Sequence, residues 1–471
     1  MYVPTRWIVR LTLALVALLL AAAVVAADVV GWRGDGTGSY PTATPPTVWS
    51  KTQNIVWSTP LPGKSNSLPV VVGDKVFTCG EPATLYCLNL ADGKILWQKN
   101  NAYEDVLPAD QLTQMKADQA AADPIRAQLN TANQDLATAK DAAAKNPNDA
   151  DLKAKQTAAQ QKVDDLNKQL DGLSHWALPP THDYNGYSSA TPVSDGQSVW
   201  ITFGNGVAAC YDLNGTRKWA RLVEKPNHGW GVSSSPVLAG DRLLVNFLNC
   251  VALNPATGDT LWTAKTGMYW GTPAVVKMGD VPVAFTPNGQ IVRLSDGAIL
   301  QQKLFDFTWG ASPLAVGDTV YYFQVPPNRL SLDVLLAGQA YHVPAQAADT
   351  VKLEGFWKGR NERYYGSPVL NDGLLYSANN LDELVVAEAA SGQLIYRHKL
   401  NLGGQDFGSV CLAGGNIFVT SDSGNTVIVK PGREYGEVGR GSVGDTVRST
   451  LVFAGSRIYV RGYKALYCIG Q

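Results

Sequence analysis

Residues 67–97 read S-L-P-V-V-V-G-D-K-V-F-T-C-G-E-P-A-T-L-Y-C-L-N-L-A-D-G-K-I-L-W, and variants of this stretch recur down the chain. Each copy opens on a small residue and usually a proline. An apolar run, a Gly/Asp turn, two further β-rich runs and an x-[DNTS]-G turn follow, and an aromatic residue closes the copy. The prolines set the period: Pro69, Pro192, Pro236, Pro273, Pro313 and Pro368, with Val410 and Thr450 in the same slot. Apart from one long insertion after the first copy, the spacing is near ~40 residues, the period of four-stranded propeller blades. Eight slots predict an all-β, eight-bladed β-propeller.

Working outward from the first copy, Asn54-Ile55-Val56-Trp57 matches the end of a repeat but has no blade before it. The last repeat, 447–470, has three strand-like runs and no fourth. Residues 55–60 are therefore expected to supply the outer strand of the eighth blade and close the ring, which removes exposed sheet edges. The propeller then spans 55–100 and 176–471. The preceding segment, 28–54, is rich in Gly, Pro and Thr and reads as a strap across the propeller surface. Its G-W-R-G-D-G-T-G run lacks the Lys-Ser/Thr of a P-loop and the spaced acids of an EF-hand.

Residues 1–27 read as an export signal. Arg6 and Arg10 precede an apolar run over 11–25 that ends at Val25-Ala26-Ala27. Cleavage is the first expectation and an uncleaved anchor the second, the only membrane contact foreseen. No cysteine lies near residue 28 to carry a lipid. These features place the protein outside the cytoplasm, in the periplasm, the cell envelope or the medium.

Between 101 and 175 the composition turns to Ala, Gln, Asp, Lys and Asn. Ile125, Leu129, Ala132, Leu136, Ala139 and Ala143 alternate three- and four-residue steps. After Asn146-Pro147-Asn148-Asp149, Leu152, Ala159, Leu166 and Leu173 recur every seven residues. The pattern predicts an antiparallel helical hairpin with a coiled-coil seam, inserted as an arm. Asp123-Pro124 is expected to cap and restart its first helix. The fifth repeat also runs long, by about fifteen residues around 328–338.

A formal net charge of −1 gives no reason to expect nucleic acid or an anionic membrane as partner. The six cysteines stand singly, at 79, 87, 210, 250, 411 and 468, which argues against zinc ribbons and redox dithiols. Cys87, Cys210 and Cys468 occupy matching slots and read as core thiols; whether Cys79 and Cys87 meet is open at this level.

The combination of S/T-x-P-V-x-x-G-D, A-L/Y-x-x-x-T/D-G and a terminal Trp resembles the pyrroloquinoline-quinone-like β-propeller repeat, a family that includes BamB-like and quinoprotein-alcohol-dehydrogenase-like propellers. The residues that carry the likeness are Leu90-Ala91-Asp92-Gly93-Lys94-Ile95-Leu96-Trp97 and Leu253-Asn254-Pro255-Ala256-Thr257-Gly258-Asp259-Thr260-Leu261-Trp262. The resemblance implies that Trp97, Trp219 and Trp262 dock between blades, with Tyr396 and Trp57 in the same slot. It also implies two functional branches. Quinoprotein dehydrogenases hold PQQ and calcium in the central channel against an adjacent Cys-Cys disulfide and use an Asp as base. This chain departs from them in having no adjacent cysteines. The other branch comprises scaffolds without cofactor, whose BamB-type members are lipoproteins. The expected function is therefore an exported, non-catalytic scaffold with no cofactor, binding an envelope protein or a small polar or glycan ligand. The alternative is a PQQ-dependent alcohol or sugar dehydrogenase with an atypical site; an unrelated hydrolytic or lyase activity comes third.

The loops that lead into inner strands converge at the channel mouth, and six carry an aromatic there: Tyr187, Trp230, Trp270, Trp309, Tyr365 and Phe407. A rim of planar side chains suits sugars, aromatic ligands or peptides; the competing expectation is that these rings wedge blades together. Nearby polar residues are His182, Asp183, Asn185, Asn227, His228, Asp306, Arg360, Arg363, Asp406 and Arg448. Arg360, Arg363 and Arg448 are expected opposite Asp183, Asp306 and Asp406, a balance that favours a neutral or weakly anionic ligand. His182 and His228 could share a metal with Asp183 or Asp406, though their spacing does not demand one. The helical arm is the second candidate docking element.

Overall fold

The computed structural model describes residues 30–305, 310–323, 338–358, 365–405 and 408–470. The expected export signal lies outside these residues. No helix among them is long and apolar enough to cross a membrane. The chain divides into a propeller and a separate unit, Asn101–Pro179.

The propeller has eight sheets, each built on four antiparallel strands, and one of them, blade 7, carries a fifth short strand in parallel. Blade 1 is Val70–Val72, Lys75–Gly80, Thr84–Asn89 and Ile95–Asn100, from channel to rim. Blades 2 to 7 follow in chain order, and their two middle strands are buried almost throughout because each blade packs between two neighbours. Blade 8 takes Val452–Ala454, Arg457–Arg461 and Ala465–Ile469 from the end of the chain. Its outer strand is Ile55–Pro60, antiparallel to Ala465–Ile469 with Trp57 opposite Cys468. The ring therefore closes as the repeat count requires. One slot is shifted: the inner strand of blade 8 begins at Val452, so Leu451 and not Thr450 corresponds to the prolines.

The x-[DNTS]-G turn and the terminal Trp explain each other. In five junctions the outer-strand Trp donates its indole N–H to a carbonyl in the next blade's turn: Trp57 to Leu90, Trp97 to Leu213, Trp219 to Pro255, Trp262 to Leu294 and Trp357 to Ala389, at 2.8–3.2 Å. The ring lies flat over the turn glycine. At Gly258 φ is +74°, and a Cβ would come within 2.6 Å of the Trp219 ring. Glycine is thus required twice there, by the backbone and by the ring.

At the equivalent register blade 4 has Gln301, whose Oε1 accepts the Leu353 N–H at 3.2 Å. Blade 6 has Tyr396. Blade 7 has Gly439, with no side chain at all.

The strap fills the gap at blade 7, which corrects the expectation that it lies on the surface. Ser39–Tyr40 adds in parallel to the inner strand of blade 7, Cys411–Ala413. Trp49 then enters between blades 7 and 8, only 3% exposed, packed in the cluster of Phe418, Ile428, Val452 and Ile469. A Cβ on Gly441 would come within 1.9 Å of its ring. The bare glycine strand of blade 7 therefore makes room for a tryptophan supplied by another part of the chain. Further upstream Arg33 is fully buried, its Nη2 donating to the carbonyls of Pro368 and Val410 at 2.8 and 2.7 Å. Burial lowers its pKa. These bonds pin the Gly-rich run to the inner strands of blades 6 and 7.

All six cysteines are free and buried. Cys79 stands opposite Leu85 and Cys87 opposite Phe77, so the two do not pair. Burial pushes both thiols up to about 12, which leaves them as inert core groups.

In the separate unit, helices Ala109–Lys145 and Ala150–Gly172 pack through Ala132 and Leu136 against Val163 and Leu166. Asp149 caps the second helix, accepting from the backbone N–H of Asp151 and Leu152. The expected restart at Asp123-Pro124 does not occur: Pro124 lies inside one continuous helix. Buried Met115 and Ala122 before it, and Ala132 after it, hold both sides of the helix in contact with their neighbours. Asp123 does not cap but pairs with Arg126 on the same helix, at 3.0 Å.

Candidate functional site at the channel mouth

The residue before each proline slot builds the channel wall. Its hydroxyl accepts the backbone N–H of the same position one blade earlier. The relay runs from Leu68 N–H to Thr191, then through Ser235, Thr272, Ser312, Ser367, Ser409 and Thr450, at 2.8–3.1 Å. Seven links tie the eight blades; Leu68 has no hydroxyl to make the eighth.

Above this ring is a pocket of about 210 Å³. Trp32 of the strap lines it on the channel side, and Tyr184, Trp230, Trp270 and Tyr365 supply aromatic walls. Trp32 also borders a second cavity of about 350 Å³ between the strap and the inner strands of blades 2 to 5.

The two histidines position aromatic rings. His182 Nδ1 accepts the Tyr184 N–H at 3.1 Å, and its ring stacks on Trp230 with centroids 4.0 Å apart and planes 24° apart. His228 Nδ1 accepts the Trp230 N–H at 3.2 Å and meets Trp270 edge-on at 5.1 Å. This His-x-aromatic repeat, His182-Asp183-Tyr184 and His228-Gly229-Trp230, gives each imidazole a structural task. No group of three or more His, Cys, Asp or Glu that could hold a metal occurs among the described residues. Trp270 is itself braced, its indole N–H donating to the Gly231 carbonyl at 2.9 Å.

Of the predicted mouth residues, Trp230, Trp270, Tyr365 and Arg448 line the pocket. Tyr187 does not. Its backbone N–H donates to Glu81 of blade 1 at 2.8 Å, and its ring packs by Gly204. Glu81 also accepts from the backbone N–H and hydroxyl of Ser188, while burial raises its carboxyl pKa. The loop is anchored to blade 1 there, so Tyr184, three residues earlier, takes the wall position. Trp309, Phe407, Arg360, Arg363, Asp306 and Asp406 lie outside the described residues.

Of the charges expected to face one another across the mouth, only Arg448 and Asp183 fall among the described residues. Arg448 sits 4.1 Å over the Tyr184 ring, donates to the Tyr463 hydroxyl at 2.8 Å and lies 3.8 Å from Asp422. Asp183 pairs with Lys64, whose ammonium lies 5.7 Å from the same Tyr463 ring. Lys64, with Arg448 adding to it, holds the Asp183 carboxyl below its usual range. Both charges therefore share one side of the rim, because the 182–185 turn folds toward blades 8 and 1. Sequence reasoning missed Trp32, Tyr184 and Asn66. The aromatic in the glycine run was a usable signal for the first.

A quinone of the dehydrogenase branch is a tricarboxylate held with Ca²⁺. The described wall offers it one guanidinium, Arg448, and no carboxylate to ligate the ion. The described donor set does not fit such a group.

The comparisons agree with this architecture. Among solved structures, BamB from Moraxella catarrhalis superimposes with a TM-score of 0.52 at 10% identity, covering 88% of this chain and 97% of that one. Quinohemoprotein alcohol dehydrogenase from Comamonas testosteroni gives 0.55 at 10% identity, covering 96% and 82%. At such identities both show the fold alone. No curated protein matches in sequence. The family model described as outer membrane protein assembly factor BamB matches residues 46–169 and 171–296, more than half of the chain. The protein belongs to this family of PQQ-like β-propellers.

Proposed function

We propose that the protein is a non-catalytic binding propeller of the cell envelope, whose channel mouth takes a small polar ligand and whose body serves as a scaffold for an envelope protein. The observation that carries the reading is the convergence of Trp32, Trp230, Trp270 and Tyr365 on one pocket at the axis. Planar rings with hydroxyls between them bind the apolar faces of polar molecules. The family match to an assembly-factor model supports the scaffold part, with the helical unit as a second docking element. Screening glycan and short-peptide libraries by tryptophan fluorescence tests the ligand part. Hits are expected whose affinity falls by ~2 kcal/mol or more in Trp270→Ala. If no hit depends on Trp270, the mouth is not a binding site.

A further inference from the structure

The hydroxyl relay has a polarity that narrows the ligand. Thr272, Ser312, Ser367, Ser409 and Thr450 all line the pocket. Each receives a backbone N–H on its oxygen, from Ser235, Thr272, Ser312, Ser367 and Ser409 in turn. A hydroxyl has one proton to give, and these five give it to no acceptor among the described residues. Five O–H donors from five successive blades therefore surround one axis, with the Arg448 guanidinium at their edge. At the opposite polarity, Asn66 and Asn185 donate their amide NH₂ groups to the carbonyls of Tyr184 and Trp230, at 2.6 and 2.7 Å. Asn66 donates to Ser189 as well. Their amide oxygens are left as the acceptors of the wall.

Resting on the binding reading above, we propose that the mouth pocket is a site for a single sugar acid, with its ring against Trp32 and its carboxylate among Arg448 and the slot hydroxyls. A carboxylate only accepts, so it matches a ring of donors. Sugar hydroxyls both donate and accept, so they match the two asparagine oxygens. The aromatic floor matches the C–H face of a pyranose. A volume of about 210 Å³ is at the small end of ligand pockets, in keeping with a small ligand such as one sugar ring. Trp32 is then a ligand contact supplied by the strap, held in place by the buried Arg33.

The test is calorimetric titration of the full chain with glucuronate, galacturonate, glucose and acetate, with melting curves for every variant. At least one of the two uronates should bind roughly tenfold or more tightly than glucose, the effect of one charge-assisted contact, and acetate should not saturate. Arg448→Gln should remove the preference, Arg448→Lys should keep part of it, and Trp32→Leu should weaken both sugars. Glucose binding as tightly as the uronates, in a Trp270-dependent way, would overturn the sugar-acid assignment while leaving the binding reading intact. Acetate matching the uronates would overturn it in favour of a bare anion site. No binding by either uronate also rejects it, and only a library with no Trp270-dependent hit rejects the wider reading. If Trp32→Leu does not fold, the Arg448 pair still decides.

Discussion

Tryptophan does two different jobs in two regions of this molecule. Around the rim, Trp57, Trp97, Trp219, Trp262 and Trp357 each lie on a turn glycine of the next blade and donate their indole N–H to the carbonyl of another residue beside that turn. At the axis, Trp32, Trp230 and Trp270 line a cavity. The rim rings are fixed by a repeat, so their loss should be felt as stability. The axial rings are placed by irregular loops and the strap, so their loss should be felt chiefly as affinity.

The largest effect should come from Trp57→Asp. It removes the ring and the bond to Leu90 and puts a charge into the seam that joins the two chain ends, at a cost of about 4 kcal/mol. Unchanged melting would mean that the closing strand is peripheral. Trp219→Ala should cost ~3 kcal/mol by cavity formation, with the rest of the rim intact. Trp49→Ala should cost a similar ~3 kcal/mol, although Trp49 belongs to no repeat, because it fills the seam that Gly439 and Gly441 leave open. If Trp49→Ala melts like the wild type, blade 7 is held some other way and the two kinds of junction are not equivalent. Gly258→Ala should cost ~2 kcal/mol, from its positive φ and from lifting the Trp219 ring. Replacing 104–174 by a short Gly/Ser linker should change propeller melting least, since the hairpin core of Ala132, Leu136, Val163 and Leu166 is its own. Loss of cooperative unfolding would contradict that division.

The same contrast explains what was legible in the sequence. Blade number, closure by 55–60 and the rim tryptophans were readable because each depends on a turn glycine and an aromatic that recur at one period. The strap was misread because a single copy has no partner to align with, and Trp49 reveals its place only beside the glycines of blade 7. Pro124 was misread for a related reason. Its local preference for a helix start is overridden by packing on both sides. At the mouth, the recurring aromatic identified Trp230, Trp270 and Tyr365 but also Tyr187, which Glu81 turns aside through contacts more than a hundred residues away in sequence.

One paired measurement tests the central claim that the axial aromatics form a binding site and not another set of wedges. Affinity for a library-derived ligand and the unfolding midpoint are determined for Trp270→Ala and Trp219→Ala side by side. The account predicts that Trp270→Ala loses ~2 kcal/mol or more of binding with little change in melting, while Trp219→Ala loses stability and keeps its affinity. Equal losses of stability in both, with affinity unchanged in Trp270→Ala, would contradict it.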